Sequence, residues 1–179
     1  MKSIVETACV LLVLSGFGLL GFSRLVACIK ITAAQGICLG ALVIAANFGM
    51  TPVRATAIGL AVIVLKGFVF PRLLLRALRE SRTSREIQPI VGYVASLLFG
   101  IALLAFSFQI DLGAGFKIVE SGSLMVSVAF FLFLTGLFLI VTRKTALNQV
   151  LGYLVVENGI YVFGFAIVGE IHAFIELSV

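Results

Sequence analysis

The sequence predicts an all-α fold, a polytopic bundle of about six transmembrane helices. Three observations point there. Sixty-one per cent of the 179 residues are hydrophobic and only 12% are charged, with a mean hydropathy of +1.24, whereas a soluble domain is about half apolar and about a quarter charged. The apolar residues fall in continuous runs of about 20, the length a helix needs to cross the hydrocarbon core. These runs also lack the apolar–polar alternation of membrane barrel strands. Residues 1–179 read as a single integral membrane domain, with spans at 4–22, 31–48, 55–75, 90–108, 124–141 and 150–168.

The first span has only Lys2 before it, carries Glu6 and has no A-x-A site. It reads as a retained helix rather than a signal peptide, with Glu6 solvated near its outer end. The second carries Gly36 and Gly40 as GxxxG, beside Ala33, Ala34 and Ala41, a pattern that lets membrane helices approach closely. The third contains Lys66, followed five residues later by Pro71. That proline leaves a carbonyl one turn earlier without its usual partner, which predicts a kink or a hydrated point. The fourth and fifth spans carry little polar decoration, and the sixth contains Glu157 and Asn158. The chain also echoes itself faintly. Ser15-Gly16, Arg24 and Gln35-Gly36-Ile37 recur as Thr135-Gly136, Arg143 and Asn158-Gly159-Ile160, which suggests two related helix pairs.

Basic residues predict the orientation. Nine of the 13 lie in odd-numbered connections: Arg24 and Lys30, then Arg72, Arg76, Arg79, Arg82 and Arg85, then Arg143 and Lys144. The positive-inside bias makes those connections cytoplasmic and puts both termini on the non-cytoplasmic side. The +5 net charge therefore reflects membrane topology, and no nucleic-acid partner is expected. The arginine cluster from Arg76 to Arg85 reads first as a topology determinant, and otherwise as a headgroup or docking surface.

Ionisable groups at membrane depth are costly and are candidates for function. Glu157 lies about eight residues into the sixth predicted span, roughly 12 Å deep, and Lys66 lies six residues before Arg72, roughly 9 Å deep. Each alone would be driven towards its neutral form, whereas a pair would hold both charged. The candidate proton pathway is Glu157, Lys66, Asn158 and Gln35, with the Lys66–Glu157 pairing a hypothesis. The competing roles are structural hydrogen bonding beside Asn158 for Glu157, snorkelling to the nearby border for Lys66, and hydrogen bonding between helices for Gln35 and Asn158. Cys9, Cys28 and Cys38 have no CxxC spacing and read as small buried apolar residues. His172 and Glu176 share a helical face, but two groups make no metal site. No catalytic residue, cofactor or metal is expected on this chain.

The block LTGLFLIVTRKTALNQVLGYLVVENGIYVFGFAI, residues 134–167, resembles the hydrogenase-4 component E family, itself related to the K subunit of respiratory complex I and the C subunit of multisubunit sodium/proton antiporters. Its most specific residues are Arg143, Gln149, Gly152-Tyr153 and Glu157-Asn158-Gly159. A second match is SRLVACIKITAAQGICLGALV, residues 23–43, with Gln35 at the family's glutamine, and a third is Lys66 with Pro71. The resemblance implies a membrane subunit of a complex I-like [NiFe]-hydrogenase, contributing to redox-coupled proton translocation. Its partners would be antiporter-like membrane subunits and peripheral hydrogenase subunits that hold the nickel-iron and iron–sulfur centres. The implied location is the inner membrane of a prokaryote. Glu157 is similar to the membrane glutamate of the complex I K subunit, offset by about three residues, nearly one helical turn. The family's further helix with an intramembrane aspartate has no counterpart in this sequence. A non-conducting structural adaptor and a subunit of a cation/proton antiporter are the alternatives.

Overall fold

The computed structural model describes residues 2–46, 51–80, 91–113 and 122–177. Its helices are α1 (Lys2–Gly21), α2 (Leu25–Ala46), α3 (Pro52–Val62), a π-helical segment (Ile63–Val69), α4 (Phe70–Glu80), α5 (Tyr93–Gly113), α6 (Gly122–Thr142) and α7 (Ala146–Leu177). The segment α3–π–α4 forms one continuous rod, Pro52–Glu80, so six helical rods among the described residues are long and apolar enough to cross a membrane. This is the character of a multi-pass membrane protein, and the described residues form no β-sheet. The helices overrun the sequence boundaries at several ends. Thr51 with Pro52 at the first helical position starts the third rod earlier than expected, because proline has no N–H to satisfy there. Arg82, Arg85 and Lys117 lie outside the described residues, and His172 and Glu176 lie on α7 beyond its described side chains.

Two helical hairpins form the centre. α1 packs on α2 and α6, α2 packs on α7, and α6 packs on α7. Gly16 of α1 lies against Phe131 and Leu132, while Leu20 reaches Arg143, so α1 and α6 run in the same direction. The turns of the two hairpins sit side by side, since Arg143 in the second turn reaches the Leu20 carbonyl at the end of α1. The sequence echo therefore coincides with two hairpins of like direction, α1–α2 and α6–α7. The third rod lies on α2, and α5 fits against α1 and α6.

Lipid tails are as apolar as leucine, so helix association here depends on packing and on polar contacts between helices. Leu12, Leu19, Leu20, Leu39, Phe131, Leu132 and Val155 fill the centre with almost no exposed surface. Val53, Val94, Leu98, Ile101 and Val141 point outward, as lipid-facing residues do. The two glycines of the GxxxG both face the third rod. A Cβ at Gly36 would overlap Lys66, and one at Gly40 would overlap Ile63 and the Gly59 carbonyl. Glycine there brings the α2 backbone directly against the site.

The kink expected at Pro71 takes the form of a widened turn. The Phe70 N–H donates to Leu65 O, five residues back instead of four. A proline ring clashes with the carbonyl four residues before it in a regular helix, here Gly67. Inserting a π turn before Pro71 relieves that clash. Lys66 sits at the centre of the widened turn.

A buried polar chain across four helical rods

The four polar residues singled out from the sequence, Gln35, Lys66 and the adjacent Glu157 and Asn158, come from three helical rods and converge in the middle of the bundle. The Lys66 Nζ donates to Asn158 Oδ1 at 2.8 Å and lies 3.4 Å from Glu157 Oε1. Asn158 Nδ2 donates to Gln35 Oε1 at 3.2 Å. Gln35 Nε2 in turn donates to Ser15 Oγ at 2.8 Å, and the Ser15 hydroxyl donates to Leu12 O at 2.6 Å. Every link runs in the same donor-to-acceptor direction, from the ammonium to a backbone carbonyl. The chain crosses the π segment, α7, α2 and α1.

Local structure places each member. Lys66 is held where Gly36 lets α2 touch its Cβ and backbone, so its long side chain is directed to α7. Glu157 and Asn158 are adjacent on α7, Asn158 facing inward at 1% exposure and Glu157 turned partly outward at 29%. Gln35 is ten residues into α2, roughly 15 Å from the turn end, and Glu157 is eleven into α7, roughly 16 Å. Against a hydrocarbon core of about 30 Å, both stand near its middle.

An ammonium at that depth is tolerable only when it is paired and hydrogen-bonded. Lys66 has three partners: the carboxylate, the Asn158 oxygen and the Tyr161 ring, whose centroid is 4.1 Å from Nζ. The ring face adds cation–π attraction in a desolvated setting. Tyr161 follows Glu157 by four residues and so shares its helix face. The arrangement can hold one mobile proton between ammonium and carboxylate, with amides on one side that can orient water or relay hydrogen bonds.

Two members were not identified as site residues from the sequence. Ser15 appeared only in the internal echo, and a serine in a membrane helix commonly bonds its own backbone. Tyr161 reads as an ordinary aromatic until α7's register brings it over Lys66.

Arg143 also behaves differently from its sequence reading. Taken there as a charge of a connection, it is 2% exposed. Its Nη2 donates to Leu20 O at 3.4 Å, and its guanidinium lies 5.7 Å from the Tyr93 ring centroid. Burial lowers its pKa from the usual guanidinium value, opposed by the nearby Cys28 thiol and Tyr93, yet it stays charged at physiological pH. The three cysteines are free, Cys9 and Cys28 buried and Cys38 half-buried. Among the described residues, no three His, Cys, Asp or Glu side chains converge.

Comparison with protein-family models gives no match, and no solved structure matches the chain. The chain is 32% identical over 158 residues to the uncharacterized protein Rv0085 of Mycobacterium tuberculosis, an alignment covering 85% of this chain and 70% of that protein. At that identity and coverage, the chain belongs to the same protein family as Rv0085.

Proposed function

We propose that this chain is a membrane subunit of a complex I-like, hydrogenase-4-type [NiFe]-hydrogenase, and that its buried polar chain conducts or gates protons during redox turnover. The carrying observation is the lysine–glutamate pair at mid-membrane, joined through Asn158 and Gln35 to Ser15. Glu157 is the carrier in this reading, since its carboxylate keeps partial access at the bundle surface. Lys66 is the charge modulator, its ammonium 3.4 Å from the carboxylate. Asn158 and Gln35 hold the hydrogen-bonded approach. Chemistry on hydrogen belongs to peripheral partners carrying nickel-iron and iron–sulfur centres, beside antiporter-like membrane subunits. The proposed setting is the inner membrane of a prokaryote, with both termini on the non-cytoplasmic side.

A structural adaptor is the second reading, favoured by the completeness of the Lys66 contacts, which would suit a packing role. A subunit of a cation/proton antiporter is the third. The discriminating experiment is gentle solubilisation of native membranes, capture through a tag on this chain, and assay of the intact assembly. Hydrogen-dependent electron transfer with proton uptake in reconstituted vesicles supports the hydrogenase reading. Cation-driven proton exchange without hydrogen oxidation contradicts it and supports the antiporter.

A further inference from the structure

Among the described residues, four buried side-chain atoms find no hydrogen-bond partner: Ser96 Oγ, Ser127 Oγ, Thr135 Oγ1 and Arg143 Nη1. All belong to α5, α6 or the turn after α6. Serine and threonine in a membrane helix can usually satisfy themselves on the carbonyl one turn back, as Thr32, Ser107 and Thr142 do here. The orphan hydroxyls do not, and a buried polar group without a partner calls for an explanation.

Their positions are ordered. Ser96 is four residues before Gly100 and shares its face, and Gly100 lies against Phe17 and Leu20 of α1. Thr135 is four residues after Phe131 and shares that face, which packs on Gly16 and Phe17 of α1. Ser96 and Thr135 therefore lie on faces directed at α1. Arg143 follows Thr135 by eight residues, roughly 12 Å along the bundle axis, and lies over Tyr93, one turn before Ser96. At the inner end, Gly16 adjoins Ser15, the last side chain of the polar chain. Ser127, four residues before Phe131, lies on the same side of α6 one turn farther from the hairpin turns.

We propose that the α1–α5–α6 interface holds a file of water molecules running from Arg143 past Ser96 and Thr135 to Ser15. The file is the branch that connects the Lys66–Glu157 pair to the aqueous phase on the side of the hairpin turns. Waters of this kind bind where two or more polar groups converge. The orphan atoms supply donors and acceptors along the file, and Arg143 stands at its mouth, where hydrogen-bonded water can relay a proton. The protonic role of the file rests on the proton-conducting reading above, whereas its hydration does not.

The two are separable in native membrane vesicles carrying the full chain. Cys9, Cys28 and Cys38 are replaced by alanine, and single cysteines are introduced by Ser96→Cys, Thr135→Cys and, as an equally buried control beyond the polar chain, Val162→Cys. Silver ion, small enough to follow a water file, is added from the side of the turns, and the remaining thiol is titrated after denaturation. The expected result is reaction at 96 and 135 at least about tenfold faster than at 162, since only a thiolate in contact with water reacts readily. Equal rates at all three positions overturn the file. Thr135→Val, which keeps the shape and removes the hydroxyl, is expected to slow hydrogen-driven proton translocation severalfold in a complex that still assembles on a native gel. Normal translocation in Thr135→Val, with silver reaching position 135, overturns the file as the proton route. Normal translocation in Glu157→Gln would instead remove the carrier reading and leave the hydration result standing.

Discussion

Removing Lys66 alone should be more damaging than removing Lys66 and Glu157 together. Lys66→Met keeps much of the side-chain volume but leaves Glu157 without its cation near the middle of the bilayer. At the observed separation of 3.4 Å and an effective dielectric of about 20, the gross attraction is about 5 kcal/mol. Desolvation of the 7%-exposed lysine offsets part of this, and breaking such a pair typically costs about 3–5 kcal/mol while replacing both members costs far less. A coupling energy of about 2–3 kcal/mol is therefore expected, or roughly 30- to 150-fold in an equilibrium constant. The assay is a double-mutant cycle over wild type, Lys66→Met, Glu157→Gln and the double variant. Stability is followed by reversible unfolding in mixed micelles, with helical circular dichroism as the signal. Additivity within about 0.5 kcal/mol would show that the two groups do not interact energetically, and the pairing would be refuted.

Three other perturbations probe the supports of the site. Gly36→Val should force α2 away from the widened turn, because its Cβ would overlap the Lys66 backbone and Cβ; a loss of about 1–3 kcal/mol is expected from overpacking, measured by the same unfolding assay. Asn158→Leu removes the link between Lys66 Nζ and Gln35 Oε1 and leaves buried groups unpaired, at about 1–3 kcal/mol each. A larger stability loss than in Gln35→Leu is expected, and equal losses would show that Asn158 is not the hub. Cysteines replacing Arg54 and Arg76 stand at opposite ends of the rod Pro52–Glu80. An impermeant thiol reagent should label position 76 only from the cytoplasmic side and position 54 only from the other.

The six helical rods were legible because about 20 consecutive apolar residues have few structural uses other than spanning lipid. Glu157 and Lys66 were legible for the converse reason, since an ionisable group inside such a run is conspicuous. Their meeting could be posited, from the cost of leaving each unpaired, but not fixed, because 91 residues separate them and no local pattern encodes which rod packs on which. The GxxxG at Gly36 indicated that a helix would come close, without showing that Lys66 would be what it touches. The π turn left only one sign, Pro71, and a proline is equally compatible with a simple kink. Arg143 was misleading in a different way. Charges at span ends usually mark topology, but its neighbours Leu20 and Tyr93 come from helices distant in sequence and enclose it. Ser15 shows only in the internal echo, and Tyr161 carries no signal, until α1 and α7 are placed against Gln35 and Lys66.

The central claim, that the buried chain ending at Glu157 moves protons, is tested most directly in inverted membrane vesicles driven by hydrogen. Wild type is compared with Glu157→Gln, which keeps shape and hydrogen-bonding capacity but cannot ionise, and assembly is verified on a native gel. The account predicts that the variant assembles, still oxidises hydrogen and loses most of its proton translocation. Undiminished translocation by a fully assembled Glu157→Gln complex would contradict it and reduce the Lys66–Glu157 pair to a packing element.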